Sequence, residues 1–459
     1  METKTNLREI VLTGLLSLEK EEIYSHIVIR GILEKYDYLT ASEKAFIKRV
    51  LEGTIEQQIR IDYVIDRFSK VPVKKMKPLI RMLLRMSVYQ ILFMDAIPDS
   101  AVCNEAVRLT GAHRFGSLKG FVNGVLRSIA RGKDAIEYPD KKKNPIAYDS
   151  ILYSMPQRLV RMWMDAYGPE KTEVILRSFL EEKPVSVRLS SALSGDGRDA
   201  VLKELSDAGI TIEESPILPD AFLLRKAEGM RSIDAFEKGL LTVQDVSSML
   251  AVLSAGIKEG DTVIDLCAAP GGKTFYAAQQ AGAAGRVLSG DVSERKVALI
   301  EETKERLHAD TVSCRVWDAT VLDASLADTA DVVIADVPCS GLGVIGKKQD
   351  IKYRIDPDDL KDLVTLQRQI LANASQYVKK GGVLLFSTCT INRAENEETV
   401  SWFLDHFPFR TDDLTPFIPK GRGEWQHAIE GEDLPAGCLQ LLPGIHGTDG
   451  FFIARLIKN

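Results

Sequence analysis

From about residue 245 the chain alternates short apolar runs with helical stretches, and that rhythm leaves few architectures open. The runs are TVIDLC (262–267), RVLSGD (286–291), TVSCRVW (311–317), DVVIAD (331–336) and GGVLLFS (381–387). Strands separated by helices predict a parallel sheet with helices on both faces, an α/β Rossmann-like fold. Ligands on such sheets sit at the C-terminal ends of the strands. Two cysteines stand there, 50 positions apart: Cys339 in DVVIADVPCSGLG (331–343) and Cys389 in GGVLLFSTCTINRAENEE (381–398).

A chain of 459 residues predicts two or three domains. Residues 1–131 read as all-helical. Thr40-Ala-Ser-Glu43 is a capping box, followed by Phe46, Ile47, Val50, Leu51 and Ile55 at helical spacing. PLIRMLLRMSVYQILFMDAIP (78–98) is a second helix that stops at Pro98, and a third segment (101–131) is interrupted at Gly111–Gly116. Residues 132–150, rich in Lys, Asp and Pro, read as a linker. Residues 151–240 read as a small α+β module, with helices at PQRLVRMWMDAYG, EKTEVILRSFLEE and DAVLKELSDAG and strands at PVSVRL and AFLLRK. Residues 241–459 form the α/β domain.

With 45% hydrophobic and 27% charged residues the chain reads as globular, and no uncharged apolar run approaches the length of a membrane span. Six cysteines without a C-x-x-C pair argue against a disulfide framework or a zinc site and for free thiols in a cytoplasmic protein. A monomer is expected. The net charge of −6 is unevenly spread. Residues 1–150 hold 25 Lys and Arg against 19 Asp and Glu, a balance of +6, and the remainder carries −12. That asymmetry suits an N-terminal part meeting an anionic partner, although a solvated helical surface gives the same count.

The loop DLCAAPGGKT (265–274) follows the first strand. A phosphate-binding loop needs glycine at position 267, where cysteine stands; a dinucleotide fingerprint needs G-x-G-x-x-G, and only Gly271-Gly272 is present. Asp291 ends the second strand, where a carboxylate can grip ribose hydroxyls, and Asp318 follows the third, where one can accept from an adenine amine. Each alone reads equally well as a helix N-cap. Asp291, Asp318 and Asp336 at three strand ends beside a glycine loop point instead to adenosine without a pyrophosphate clamp, hence to S-adenosylmethionine.

Carbon 5 of a pyrimidine is too weak a nucleophile to take a methyl group from a sulfonium. A thiolate adding at carbon 6 turns the ring into an enamine and activates carbon 5. An acid at ring nitrogen 3 and a base for the carbon 5 proton complete the requirement. Cys389, Asp336 and Cys339 could supply these parts from adjacent strand ends. Cys103, Cys267, Cys314 and Cys438 read as packing.

DLCAAPGGKT, ADVPCSGLGV and FSTCTINRAENE closely resemble the signature motifs of the RNA cytosine-5 methyltransferases, and VQDVSSML (243–250) and LLPGIHGTDGFFIARLIK (441–458) resemble further blocks of that family. LRMSVYQILFMDAIPDSAVCNEAV and GFVNGVLR resemble a NusB-type helical RNA-binding domain. The combination is similar to the bacterial 16S rRNA cytosine-5 methyltransferases of the RsmB (Sun, Fmu) type. The resemblance implies Cys389 as nucleophile, Cys339 as the residue needed for product release and Asp336 as partner of the cytosine. It implies that Cys267, Ala268, Ala269, Pro270, Gly271, Gly272 and Lys273, with Asp291, Asp318 and Asp336, hold S-adenosylmethionine. It also implies 16S rRNA as partner, with cytosine 967 as the family's position, and because the base must be unstacked to reach the thiol, a loop or single-stranded region is expected.

The chain departs from the family at Lys348-Gln349-Asp350, Leu189-Ser190 and Ala394, positions expected in substrate-facing loops. A transfer RNA substrate would use the same catalytic domain, but the NusB-like domain argues against it; a non-catalytic RNA-binding assembly factor with a vestigial methyltransferase fold is the other alternative.

Overall fold

The structure, a computed structural model, describes residues 6–20, 23–227, 229–419 and 437–459. Two compact units emerge. One comprises residues 1–181 with 345–354, the other residues 182–344 with 355–459.

The first unit is helical. Its helices Leu7–Lys20, Ser25–Lys35, Ala41–Glu56, Gln58–Phe68, Pro78–Phe93, Asp99–Ala112 and Lys119–Gly132 bury one core that includes Leu12, Ile47, Leu51, Ile65, Leu83 and Leu126. The Thr40–Glu43 capping box forms as the sequence indicates, and Pro78 opens its helix at a position where no amide hydrogen is needed. The break expected at Gly111–Gly116 separates the last two of these helices. Arg85 donates to both oxygens of Asp62 at 2.7 and 2.6 Å, joining two helices by a bidentate pair.

The sequence reading groups residues 151–181 with the small α+β module, whereas here they belong to the helical unit. Helix Pro145–Leu152, which starts in the stretch read as a linker and runs two residues past it, packs on helix Gln58–Phe68 and on the kinked helix Gln157–Ser178. The kink falls at Gly168 (φ 77°), immediately before Pro169, where the sequence reads one helix ending and another starting.

Segment 345–354 completes this unit. Ser25 donates from its backbone N and its Oγ to the two oxygens of Asp350, each at 2.8 Å. Lys352 Nζ donates to the Glu56 carbonyl at 2.7 Å and Tyr353 OH to the Ile55 carbonyl at 2.9 Å. These carbonyls lie at the C-terminal end of helix Ala41–Glu56, where a cation is favoured by the helix dipole. Burial pulls the Lys352 ammonium down to about 7 against the opposing charge of Glu56. Asp350, expected in a substrate-facing loop, is instead buried as a partner of Ser25.

In the second unit a four-stranded antiparallel sheet contains β1 (Val185–Leu189), β2 (Thr211–Glu214), β3 (Ala221–Arg225) and β4 (Leu241–Val243) in the order β2-β3-β1-β4. Helix Gly195–Asp207 accompanies it. The larger sheet contains β5 (Thr262–Asp265), β6 (Arg286–Asp291), β7 (Val312–Val316), β8 (Ala330–Asp336), β9 (Val378–Thr388), β10 (Phe409–Thr411), β11 (Cys438–Leu441) and β12 (Phe451–Lys458). Its order is β10-β12-β9-β8-β5-β6-β7, with β11 also on β12. All five expected strands form and pair in parallel. The antiparallel strand β12, read in the sequence only as a family block, covers the free side of β9. Val332, Ile334 and Leu385 enter one apolar core while Val333, Ala335 and Phe386 enter another, so both faces are covered. Among the described residues no helix is long and apolar enough to cross a membrane.

Candidate active site

The chain runs outward from β5 through β6 to β7, then returns to place β8 on the other side of β5. The crevice at that reversal is where doubly wound sheets bind ligands, and the 267–273 loop leaves β5 into it. Gly271 adopts φ 104° as the residue before helix Gly272–Ala281, and a Cβ there would lie 2.5 Å from the Phe275 ring. Only glycine fits that turn. The loop is held by Ala268 N donating to the Gly290 carbonyl at 3.0 Å and Ala269 N donating to Asp291 Oδ2 at 3.1 Å. Asp291 Oδ1 takes the Val292 amide at 2.8 Å and faces Lys296 Nζ at 3.1 Å. Asp318 lies exposed past β7; Thr320 donates to its Oδ1 through Oγ1 and N at 2.6 and 2.9 Å, holding the carboxyl below its usual range. Cys267 packs into the apolar core, and burial pushes its thiol far up.

The pairing of β8 with β9 aligns Asp336 with Ser387, and so brings together residues far apart in the chain. Ser387 Oγ donates to Asp336 Oδ1 at 2.8 Å and Lys273 Nζ to Asp336 Oδ2 at 2.6 Å. Burial works against the Lys273 charge, but Asp336, Asp265 and Cys389 outweigh it and hold the ammonium above its usual value. Cys339 Sγ lies 3.3 Å from Cys389 Sγ, and both are free thiols. The contact with Cys389, reinforced by burial, holds the Cys339 thiol well above the ordinary range. Cys389 has the Lys273 ammonium in its field.

Two residues that the sequence reading left without a role fix this geometry. Glu395 is fully buried and joins the two cysteine loops. It accepts from Ser340 N at 2.8 Å, Ser340 Oγ at 2.5 Å, Gln367 Nε2 at 3.0 Å and Asn392 Nδ2 at 3.0 Å. Asn396 accepts from Thr388 Oγ1 at 2.6 Å and donates to the Thr390 carbonyl at 3.1 Å, clamping both neighbours of Cys389. Their only signal in the sequence is position, six and seven residues after the cysteine in TCTINRAEN. Gly343 N donates to the Cys389 carbonyl at 3.0 Å, and a Cβ on Gly343 would lie 2.1 Å from the Gly450 carbonyl oxygen.

Asp265, at the end of β5, is a further group without an assigned role. It accepts from Thr274 Oγ1 at 2.7 Å, while its Oδ1 is buried without a partner among the described residues. Burial pushes its carboxyl up to about 7. Its folded-state value thus exceeds that of the unfolded chain, so it contributes stability below about pH 4 that is lost as pH rises through 7. Asp265→Asn keeps the shape without the charge. Measured by thermal denaturation without ligand, this variant is expected to gain on the wild type as pH rises from about 4 to 7, reaching roughly 2–4 kcal/mol by pH 8. A difference that does not change with pH would contradict the assignment.

Three family models match the chain: "NusB family" over residues 5–131, "Methyltr_RsmF/B-like, ferredoxin-like domain" over 155–231, and "16S rRNA methyltransferase RsmB/F" over 252–457. The chain is 34% identical to the probable ribosomal RNA small subunit methyltransferase B of Bacillus subtilis (strain 168), covering 99% of both proteins. Among solved structures it resembles the crystal structure of PH0851, with a TM-score of 0.79, 26% identity and 100% coverage of both chains. A methyltransferase homolog from Pyrococcus horikoshii matches 69% of this chain and 99% of its own, with a TM-score of 0.57 and 26% identity.

Proposed function

This chain belongs to the 16S rRNA methyltransferase RsmB/F family and is an S-adenosylmethionine-dependent rRNA methyltransferase, and from that premise we propose that it methylates carbon 5 of a cytosine in 16S rRNA through a covalent adduct at Cys389. The observation that carries the proposal is the pair of free thiols 3.3 Å apart at the ends of neighbouring strands, beside the Lys273–Asp336 ion pair. Residues 1–131 form the NusB-like RNA-binding domain, the four-stranded sheet between 182 and 243 a small module, and the larger sheet with its helices the catalytic domain.

The sequence 267–273, Asp291, Asp318 and Asp336 hold S-adenosylmethionine, which supplies an electrophilic methyl group. The fit rests on the αL glycine turn and on the carboxylates placed at the crevice. The Cys389 thiolate adds to carbon 6 of the cytosine, and the electron pair moves to carbon 5. Asp336 partners the ring, while Lys273 keeps the site positive as the thiolate forms. After transfer, the carbon 5 proton leaves to a base and the Cys389–carbon 6 bond breaks. The Cys339 S–H stands beside the departing sulfur and assists its release. The base must be unstacked to reach Cys389, so the target lies in a loop or single strand.

Mapping 5-methylcytosine in RNA from a deletion strain and its complemented parent tests the substrate. Loss of one 16S rRNA methylcytosine, at the family's position 967, is expected. Loss confined to transfer RNA would overturn the ribosomal reading.

A further inference from the structure

The loops that carry Cys339 and Cys389 hold the two sulfurs in a geometry suited to a second chemistry. The residue after each cysteine is tied to its counterpart on the other loop. Ser340 Oγ, which donates to Glu395 Oε1 at 2.5 Å, lies 2.7 Å from Thr390 Oγ1, and Thr390 Oγ1 is itself 3.3 Å from the same Glu395 oxygen. Gly343 N adds its bond to the Cys389 carbonyl at 3.0 Å. Residues 50 positions apart are thus kept side by side, with the sulfurs 3.3 Å from each other. A disulfide needs a separation of about 2.05 Å, so the sulfurs have about 1.2 Å left to close. Small rotations of the two side chains supply that movement while the backbone ties stay in place.

Both cysteine side chains are partly exposed. Reactivity toward oxidants follows thiolate character and access. The Lys273 ammonium lies in the field of Cys389. The other thiols are placed less favourably, because burial pushes Cys103, Cys267, Cys314 and Cys438 up from the ordinary range.

We infer that Cys389 and Cys339 form a site of reversible oxidation by hydroperoxides, in which a disulfide between them switches methyl transfer off. The inference rests on the reading of Cys389 as the nucleophile. The Cys389 thiolate attacks the hydroxyl oxygen of the hydroperoxide: the S–O bond forms, the O–O bond breaks, and the departing oxygen takes a proton to leave as water or an alcohol. Cys339 then attacks the Cys389 sulfur. The S–S bond forms, the S–O bond breaks, and the hydroxyl leaves as water with the Cys339 proton. Two thiols lose two electrons and the peroxide gains them. A dithiol reverses the change by exchange and becomes a disulfide itself. Cys339, already in contact, closes the bond before Cys389 is oxidised beyond recovery.

Peptide mass mapping of the full chain after treatment with hydrogen peroxide, run beside a methyl-transfer assay, tests this. The wild type should lose about 2 Da and yield a crosslinked peptide joining positions 339 and 389. Methyl transfer to unmethylated small-subunit RNA should fall at least about 100-fold and return to within about twofold after dithiothreitol, while S-adenosylhomocysteine affinity changes less than about twofold. In Cys339→Ala the same treatment should carry Cys389 on to the sulfinic acid, which dithiothreitol does not reverse. Oxidation of the wild type without the crosslink, or a loss of activity that dithiothreitol does not restore, would overturn the inference and leave the methyl-transfer reading intact. A crosslinked chain that still methylates RNA, or a reduced chain that never does, would overturn both.

Discussion

Cys389→Ala is expected to lower methyl transfer to unmethylated small-subunit RNA by at least about four orders of magnitude, because the thiolate that adds to carbon 6 is removed. The variant should still fold. Removing one half-buried sulfur costs roughly 1 kcal/mol, and the Glu395 and Asn396 hydrogen bonds around position 389 use backbone and neighbouring side chains that remain. Cofactor affinity should also persist, since the 267–273 loop is untouched. Single-turnover assays with radiolabelled S-adenosylmethionine separate these effects. Residual transfer within tenfold of the wild type would show that a different nucleophile is in use, with Cys339 the first candidate at 3.3 Å.

Cys339→Ala should act at the opposite end of the reaction. The thiol that hydrogen-bonds the attacking sulfur is then absent, so Cys389 can still add but is poorly released. A covalent protein–RNA species should accumulate as a slow band on a denaturing gel, with release slowed at least about 100-fold. The double variant Cys339→Ala/Cys389→Ala should show no band. If the single variant forms no adduct while the wild type methylates the same RNA, the two sulfurs have been assigned the wrong way round. Against that outcome stands the Cys339 thiol, held well above its ordinary range by its contact with Cys389 and by burial.

Much of this site was legible because its parts lie at strand ends, and strands announce themselves as short apolar runs. The five runs read from the sequence became β5 to β9 in the order read, with Cys339, Cys389, Asp291 and Asp336 at one edge. The supporting residues were not legible. Glu395 sits 55 positions from Ser340 and 28 from Gln367, and no local periodicity reports such a partnership. The run containing Asp350 read as a loop facing substrate because it stands where the resembled family places such a loop after the Pro-Cys motif. Its burial became visible only once Ser25, 325 positions away, supplied two donors.

That last contact bears on how the protein is made. The helical unit consists of residues 1–181 and 345–354, so 163 residues of the other unit must be synthesised between its two pieces. At roughly 5–20 residues per second, that is a wait of about 8–30 s. During it, the Ser25 helix start lacks its Asp350 cap, and the Ile55 and Glu56 carbonyls lack Tyr353 and Lys352. A fragment ending near residue 181 therefore lacks these contacts, and the piece that supplies them arrives only after the strand that carries Asp336 has emerged.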